Sequence, residues 1–319
     1  MNQLSLPAVA APMFLISGPK LVIETCKTGV VGTFPALNHR TTEGFDQWLT
    51  EIETALDGYT QENGKPAAPY GVNLIVHKTN PRLEADLEVC IKHKVPIIIT
   101  SLGAVSKVID AVHSYGGLVF HDVINLRHAA KAADAGVDGL ICVAAGAGGH
   151  AGTLHPMPFV QEVRSMFDGT ILLSGCLSNG RDIASAMQIG ADLAYMGTRF
   201  INVDESRADE GYRNMIIESG TQDIVYTAAV SGVNANFLRP SLEAMGITRE
   251  MWDLKGKIDF GKELDAAQAE AKAWKTIWSA GHGVATVKDS IPVAELVSRL
   301  KGEFVEAIKE QQLMLETYG

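Results

Sequence analysis

Ala135-Gly136-Val137-Asp138-Gly139-Leu140-Ile141-Cys142-Val143-Ala144-Ala145-Gly146-Ala147-Gly148-Gly149-His150-Ala151-Gly152 holds the plan of the whole chain. A glycine just past a helical stretch feeds an apolar run, Gly139 to Ala145, short enough to be a strand buried on both faces. The run opens into a glycine-rich turn that presents one histidine, His150. Glycines let a backbone come close to something flat or anionic, and an imidazole exchanges its proton near neutral pH. Taken alone the turn has two readings, a tight connection capped by His150 or the wall of a ligand site.

The same entry into a strand recurs at Ile189-Gly190-Ala191-Asp192, again with a glycine just past a helix end. A connection used twice is what a chain of repeated βα units shows. Eight short apolar runs fit such units: Ala8–Ala11, Val30–Phe34, Tyr70–Val76, Pro96–Ser101, Leu118–Val123, Gly139–Ala145, Thr170–Ser174 and Leu193–Gly197. Between them, helical periodicity covers Lys20–Thr28, Thr42–Asp57, Arg82–His93, Val105–Tyr115, Asn125–Ala135, Pro158–Phe167 and Gly180–Ile189. The fold class expected is therefore α/β, a (β/α)8 TIM barrel. An open dinucleotide-binding sheet would show GxGxxG after its first strand, and Ala11-Pro12-Met13 is nothing like one. After Phe200 the alternation stops. Helices expected over Asp204–Ser219, Pro240–Met245 and Lys262–Trp278 suggest a smaller, mainly helical subdomain inserted after strand eight. That divides the chain into a barrel, residues 1–203 and 282–319, and a subdomain, residues 204–281. The last stretch, Pro292–Thr317, carries Val293, Leu296, Leu300, Phe304 and Ile308 at helical spacing, which suits a helix packed back on the barrel.

Composition narrows the function classes. With 46% hydrophobic and 20% charged residues in a chain of 319, a large core is available and disorder is excluded. No apolar stretch approaches the roughly 20 residues a membrane helix needs, and no leader pattern opens the chain, so a cytoplasmic protein is expected. A net charge of −10, without clustered Lys/Arg among aromatics, argues against nucleic acid. Cys26, Cys90, Cys142 and Cys176 are scattered, which indicates neither a disulfide framework nor a metal site.

In a barrel the active site lies at the C-terminal ends of the strands. Those ends offer Ala11 and Met13, Asn73, His121 and Asp122, and the turn to His150. The last two offer Ser174-Gly175-Cys176 and Gly197-Thr198. Glycine-rich turns after the last two strands commonly take a phosphate, so a phosphorylated ligand is expected on Gly175, Cys176, Gly197 and Thr198. Asn73, polar in a run that should be buried, needs a partner.

Taken together, Ala11-Pro12-Met13, Gly71-Val72-Asn73-Leu74, Gly148-Gly149-His150-Ala151-Gly152, Gly175 through Gly180-Arg181, and Gly190-Ala191-Asp192 through Met196-Gly197-Thr198-Arg199-Phe200 resemble the nitronate monooxygenase family. Trp278-Ser279-Ala280-Gly281-His282-Gly283-Val284 is similar to a further segment of that family. The resemblance implies an FMN enzyme that oxidises alkyl nitronates, and by extension nitroalkanes, with O2 to a carbonyl compound and nitrite. It places FMN contacts on Ala11, Met13, Asn73, Gly148, Gly149, Gly175, Cys176, Gly197 and Thr198, with His121 and Ser174 beside them as strand-end candidates. His150 becomes the active-site residue, and a homodimer joins nitronate, nitroalkane and O2 among the expected partners. Three positions depart from the family pattern: Gly146 where many relatives carry Glu or Gln, Cys176 in place of a second glycine, and His282 in place of Gln. An NAD(P)H:quinone reductase or an enoyl-thioester reductase on the same FMN barrel is the first alternative. A flavin-free phosphate-binding isomerase or aldolase is the second, and the absence of a strand-end lysine counts against the aldolase.

Overall fold

Eight parallel strands close on themselves in this computed structural model, which describes residues 4–77, 79–101, 106–230, 232–252 and 277–319. In chain order they are β1 (Ala8–Ala10), β2 (Val31–Pro35), β3 (Tyr70–Ile75), β4 (Ile97–Ser101), β5 (Leu118–Val123), β6 (Gly139–Val143), β8 (Thr170–Ser174) and β9 (Leu193–Met196). The two-residue β7 (Gly149–His150) lies outside the barrel. Closure is made by β1 against β9, with Ala8 opposite Ala194 and Ala10 opposite Met196. Between the strands run α1 (Pro19–Lys27), α2 (Thr42–Asn63), α3 (Leu83–Lys92), α4 (Ser106–His113), α5 (Leu126–Asp134), α6 (Pro156–Arg164) and α7 (Gly180–Gln188). This is the (β/α)8 TIM barrel that the alternation of runs predicts.

The repeated connection is built alike at both places. Gly136 and Gly190 take φ of 89° and 108°, a left-handed conformation that glycine adopts without a Cβ penalty. The aspartate two residues on then braces the preceding strand: Asp138 Oδ2 accepts from Val119 N at 2.8 Å, and Asp192 Oδ2 from Ile171 N at 2.8 Å. Strand alternation sorts the apolar residues into two layers. Val9, Val31, Ile97, Ile99, Phe120, Ile141, Leu172, Leu193 and Tyr195 fill the barrel interior. Phe34, Val72, Ile98, Val119, Leu140 and Leu173 face the helices.

Helix ends follow local chemistry. Thr41 caps α2 through its side chain, and Gly64, at φ 65°, ends it six residues later than the periodicity suggests. His155 caps α6, its Nδ1 accepting from Met157 N at 3.3 Å, and Pro156 at the first helical position moves the start two residues earlier than expected.

After the short α8 (Thr198–Ile201) the chain departs from the helical expectation. Only α9 (Glu210–Glu218) forms in the stretch expected to be helical from Asp204. The backbone before it bonds elsewhere, Asp204 N to Ile291 O at 3.2 Å and Arg207 N to Ile16 O at 3.0 Å. Two strands then appear, β10 (Ile224–Thr227) and β11 (Ala235–Leu238), followed by α10 (Arg239–Ala244). They form a three-stranded antiparallel sheet in the order β10-β11-β7. The helix expected over Lys262–Trp278 falls, up to residue 276, outside the described residues. The final helix, α11 (Val293–Tyr318), lays Val293, Leu296, Val297 and Leu300 against Leu6, Leu21, Ile183 and Phe200. Its approach to α7 is close enough that a Cβ on Gly180 would come within 2.1 Å of Leu300 O.

Candidate active site

The C-terminal strand ends open into one cavity of about 1570 Å³. Ala11, Met13, Asn73, His121, Gly148, Gly149, His150, Ser174, Gly175, Cys176, Gly197 and Thr198 all line it. The strand ends are polar where the barrel interior below them is apolar, so a ligand there meets hydrogen-bonding groups above a dry floor.

The turns after β8 and β9 have the chemistry of an anion cradle. Among the described residues, the backbone N–H groups of Gly175, Cys176, Gly197 and Thr198 make no hydrogen bond to the chain. Orphaned donors of this kind cost free energy unless a ligand or water takes them, and a phosphate supplies several acceptor oxygens at once. The start of α7 does not contribute. Asp182 accepts from Ser178 N at 2.8 Å and Asn179 N at 3.1 Å, and Glu303 accepts from Gly180 N at 2.7 Å.

Two glycines of the β6 turn act differently. A Cβ on Gly149, at φ 67°, would meet nothing within 4 Å, which leaves room for a ligand against its backbone. A Cβ on Gly148 would lie 2.8 Å from Gly281 N. Its glycine is required by the chain itself, because the Ala280–Gly281 segment crosses over the turn. That crossing is pinned by His282 N to Gly146 O at 2.9 Å and by Gly281 N to Thr198 Oγ1 at 2.9 Å.

His150 is held by its backbone. Ala235 of β11 pairs with it, and Asn236 Nδ2 donates to Ala147 O at 2.6 Å. Tyr226 of β10 reaches across to donate to Ala151 O at 3.0 Å. Burial holds the His150 pKa below its ordinary value, so the ring is neutral at neutral pH and can accept a proton.

At the ends of β3, β4 and β5 a second polar group forms. Asn73 Nδ2 donates to Ser101 Oγ at 2.8 Å, and the Ser101 hydroxyl donates to Asp122 Oδ2. Burial pushes the Asp122 pKa up to about 6. His121 borders the cavity but lies on the opposite face of β5 from Asp122, its Nδ1 2.7 Å from Thr100 Oγ1, and burial lowers its pKa to about 4. Cys176 is exposed in the cavity at φ 61°, while Cys26, Cys90 and Cys142 are buried.

The site therefore gains residues that motif reading passes over. Ser101, Tyr226 and Asn236 carry no motif, and only the β-branched and aromatic run Ile224-Val225-Tyr226-Thr227 signals the sheet that steadies His150. Among the described residues no group of three potential ligands could hold a metal ion, and no helix is long and apolar enough to cross a membrane.

A closed parallel barrel with a histidine and amide donors, unpaired among the described residues, on one strand-end cavity has the architecture of a barrel enzyme. Comparison with known proteins makes the class specific: the chain belongs to the nitronate monooxygenase family, whose model matches residues 1–303. The members of that family are flavin-dependent oxidoreductases. A nitronate monooxygenase of Paraburkholderia phytofirmans is 26% identical, over 95% of this chain and 93% of that one. A Rhodococcus jostii protein named (3aS,4S,5R,7aS)-5-hydroxy-7a-methyl-1-oxo-octahydro-1H-indene-4-carboxyl-CoA dehydrogenase is 26% identical, over 74% of this chain and 63% of that one. The solved nitroalkane oxidase of Streptomyces ansochromogenes shares the fold, with a TM-score of 0.80, 22% identity, and 97% and 99% of the two chains covered.

Proposed function

We propose that this protein binds FMN and oxidises alkyl nitronates with O2 to a carbonyl compound and nitrite. The observation that carries the reading is that neutral His150 lines the same cavity as four amide donors at the β8 and β9 ends that are unpaired among the described residues. The N–H groups of Gly175, Cys176, Gly197 and Thr198 would hold the phosphate. Ala11, Met13, Asn73 and Gly149 would line the ring, Gly149 allowing its closest approach. FMN, when bound, supplies the electron acceptor for the substrate and passes the electrons on to O2. The part left to the chain is positioning and proton transfer. A nitronate already lacks its Cα proton, so His150 need only hydrogen-bond a nitro oxygen. A neutral nitroalkane must first lose that proton, and neutral His150 is the base placed to take it.

The cavity, at about 1570 Å³, exceeds the roughly 300–1,000 Å³ that suits a single drug-sized ligand, so cofactor and substrate fit together with room to spare. That surplus favours one second reading, a bulky acyl-thioester as the flavin's redox partner, the substrate class named for the Rhodococcus relative. Anaerobic reduction tests the nitronate reading. Bleaching of the flavin bands by propyl-2-nitronate, and not by NADH or NADPH, is expected. Rapid bleaching by either nicotinamide, with none by the nitronate, would overturn the nitronate reading.

A further inference from the structure

The amide of Asn73 faces the cavity from a position where both of its ends could serve a ligand, yet the chain has committed one of them. Its Nδ2 donates to Ser101 Oγ at 2.8 Å and to Ile99 O at 3.3 Å. A backbone carbonyl can only accept, so the contact with Ile99 fixes which end of the amide is nitrogen. Ser101 Oγ, having accepted from Asn73, has a single hydrogen left, and that hydrogen goes to Asp122 Oδ2. The direction of the chain is thereby set from Asn73 through Ser101 to Asp122, across the ends of three adjacent strands. Asp122 ends it as an acceptor, and among the described residues it has no cationic partner.

We infer that Asp122 is a positioning residue, which through Ser101 holds the Asn73 amide with its carbonyl oxygen, and not its NH2, toward the cavity. Asn73 Oδ1 accepts no hydrogen bond among the described residues, and Asn73 lines the cavity. The site is thus an acceptor at this point. It selects a ligand group that offers an N–H or O–H, and it rejects a bare carbonyl or anionic oxygen there. Without the acceptor at 122, the Ser101 hydroxyl would be free to donate back to the amide oxygen. Only the 3.3 Å contact to Ile99 O would then oppose turning the amide over to present its NH2. On the FMN reading, on which this consequence rests, the ring can meet Asn73 only through an N–H, and Asp122 governs the affinity of a cofactor through a hydrogen bond two side chains away.

Two measurements test the inference. The first needs no cofactor: side-chain amide hydrogen exchange on the protein labelled with 15N at asparagine, Asn73 being assigned by its loss in Asn73→Ala. Slow exchange of both Asn73 amide protons is expected in the wild type and in Asp122→Asn, which keeps an acceptor for Ser101. Fast exchange is expected in Asp122→Leu and Ser101→Ala. Equal exchange in all four overturns the relay. The second is the FMN dissociation constant and midpoint potential. Asp122→Leu and Ser101→Ala should each weaken FMN about tenfold, the size of one hydrogen bond, and the double variant no further. Asp122→Leu should add nothing in an Asn73→Ala background, whereas an additive loss there would mean that Asp122 acts by another route. A wild type that binds no FMN would defeat the cofactor reading while the exchange result still decides the relay.

Discussion

Placing at position 146 the Gln that the family resemblance implies should damage this protein, and the structure says by how much. Gly146 has φ 84°, so a side chain there costs about 1 kcal/mol in backbone conformation alone. The Cβ would also lie 2.5 Å from Cys176 Sγ and 2.8 Å from His282 Nδ1, neither of which is a tolerable contact. Forcing both aside is overpacking, worth about 1–3 kcal/mol. Gly146→Gln should therefore lose about 2–4 kcal/mol in urea unfolding. The three positions at which the resemblance implies other residues thus occupy one place: the thiol of Cys176 and the ring of His282 fill the volume that a side chain at 146 would take. Cys176 is itself a non-glycine residue at φ 61°, so Cys176→Gly relieves backbone strain as it removes the sulfur. The triple variant Gly146→Gln/Cys176→Gly/His282→Gln should recover at least about 1 kcal/mol over the single one, a coupling expected only of residues in contact. A Gly146→Gln protein as stable as the wild type would refute the reasoning, and so would a triple variant no more stable than the single.

Other consequences are as direct. His150→Ala should retain FMN and lose turnover of neutral nitroalkanes about 100-fold or more, with a smaller loss on nitronates, since only the former need a base; equal losses in steady-state assays would remove the base role. Because burial lowers the His150 pKa, wild-type nitroalkane turnover should hold below the usual histidine range and fall only as pH drops through that lowered value. Cys176 is the exposed thiol, whereas burial pushes Cys26 and Cys142 up to about 12. A chromogenic disulfide reagent should find one fast thiol, absent in Cys176→Ser and slowed by FMN; two fast thiols would contradict the placement. Asp122, at about 6 when folded against about 3.9 unfolded, binds its proton more tightly in the native state. Its stabilising contribution, up to about 3 kcal/mol, is fully present below pH 4 and is lost as pH rises to about 6. Urea unfolding across that range should show the wild type losing ground to Asp122→Asn, and parallel curves would mean that the carboxyl is not held neutral.

What sequence reveals here divides by how far apart the interacting residues lie. The barrel was legible because each βα unit announces itself locally, down to the glycine and aspartate shared by Gly136-Val137-Asp138 and Gly190-Ala191-Asp192. The turns that line the cavity were legible as well, since strand ends are fixed once the strands are. The start of α7 adds nothing to their donors: it spends its first amides on Asp182 and Glu303, and the donors left over among the described residues belong to the turns. Two features were not legible, because both depend on pairing over long separations. Residues 224–238 return to hold His150 as a sheet, and the segment around Gly281 crosses the turn after β6. That crossing changes the meaning of the glycines. Gly148 reads in sequence as an approach to a ligand, and it lines the cavity, but its want of a Cβ answers to Gly281, whereas a Cβ on Gly149 would meet nothing within 4 Å. It also changes the meaning of Gly146, Cys176 and His282. In sequence these are three unrelated departures from the pattern that the resemblance implies, 30 and 106 positions apart. In space they are one contact, in which the Cys176 thiol and the His282 imidazole occupy the volume that a side chain at 146 would take. Gly146 and Cys176 line the cavity, so the thiol that stands where a side chain from 146 would reach sets the polarity of this part of its wall, and substrate preference is the property that exchanges at these positions should change most.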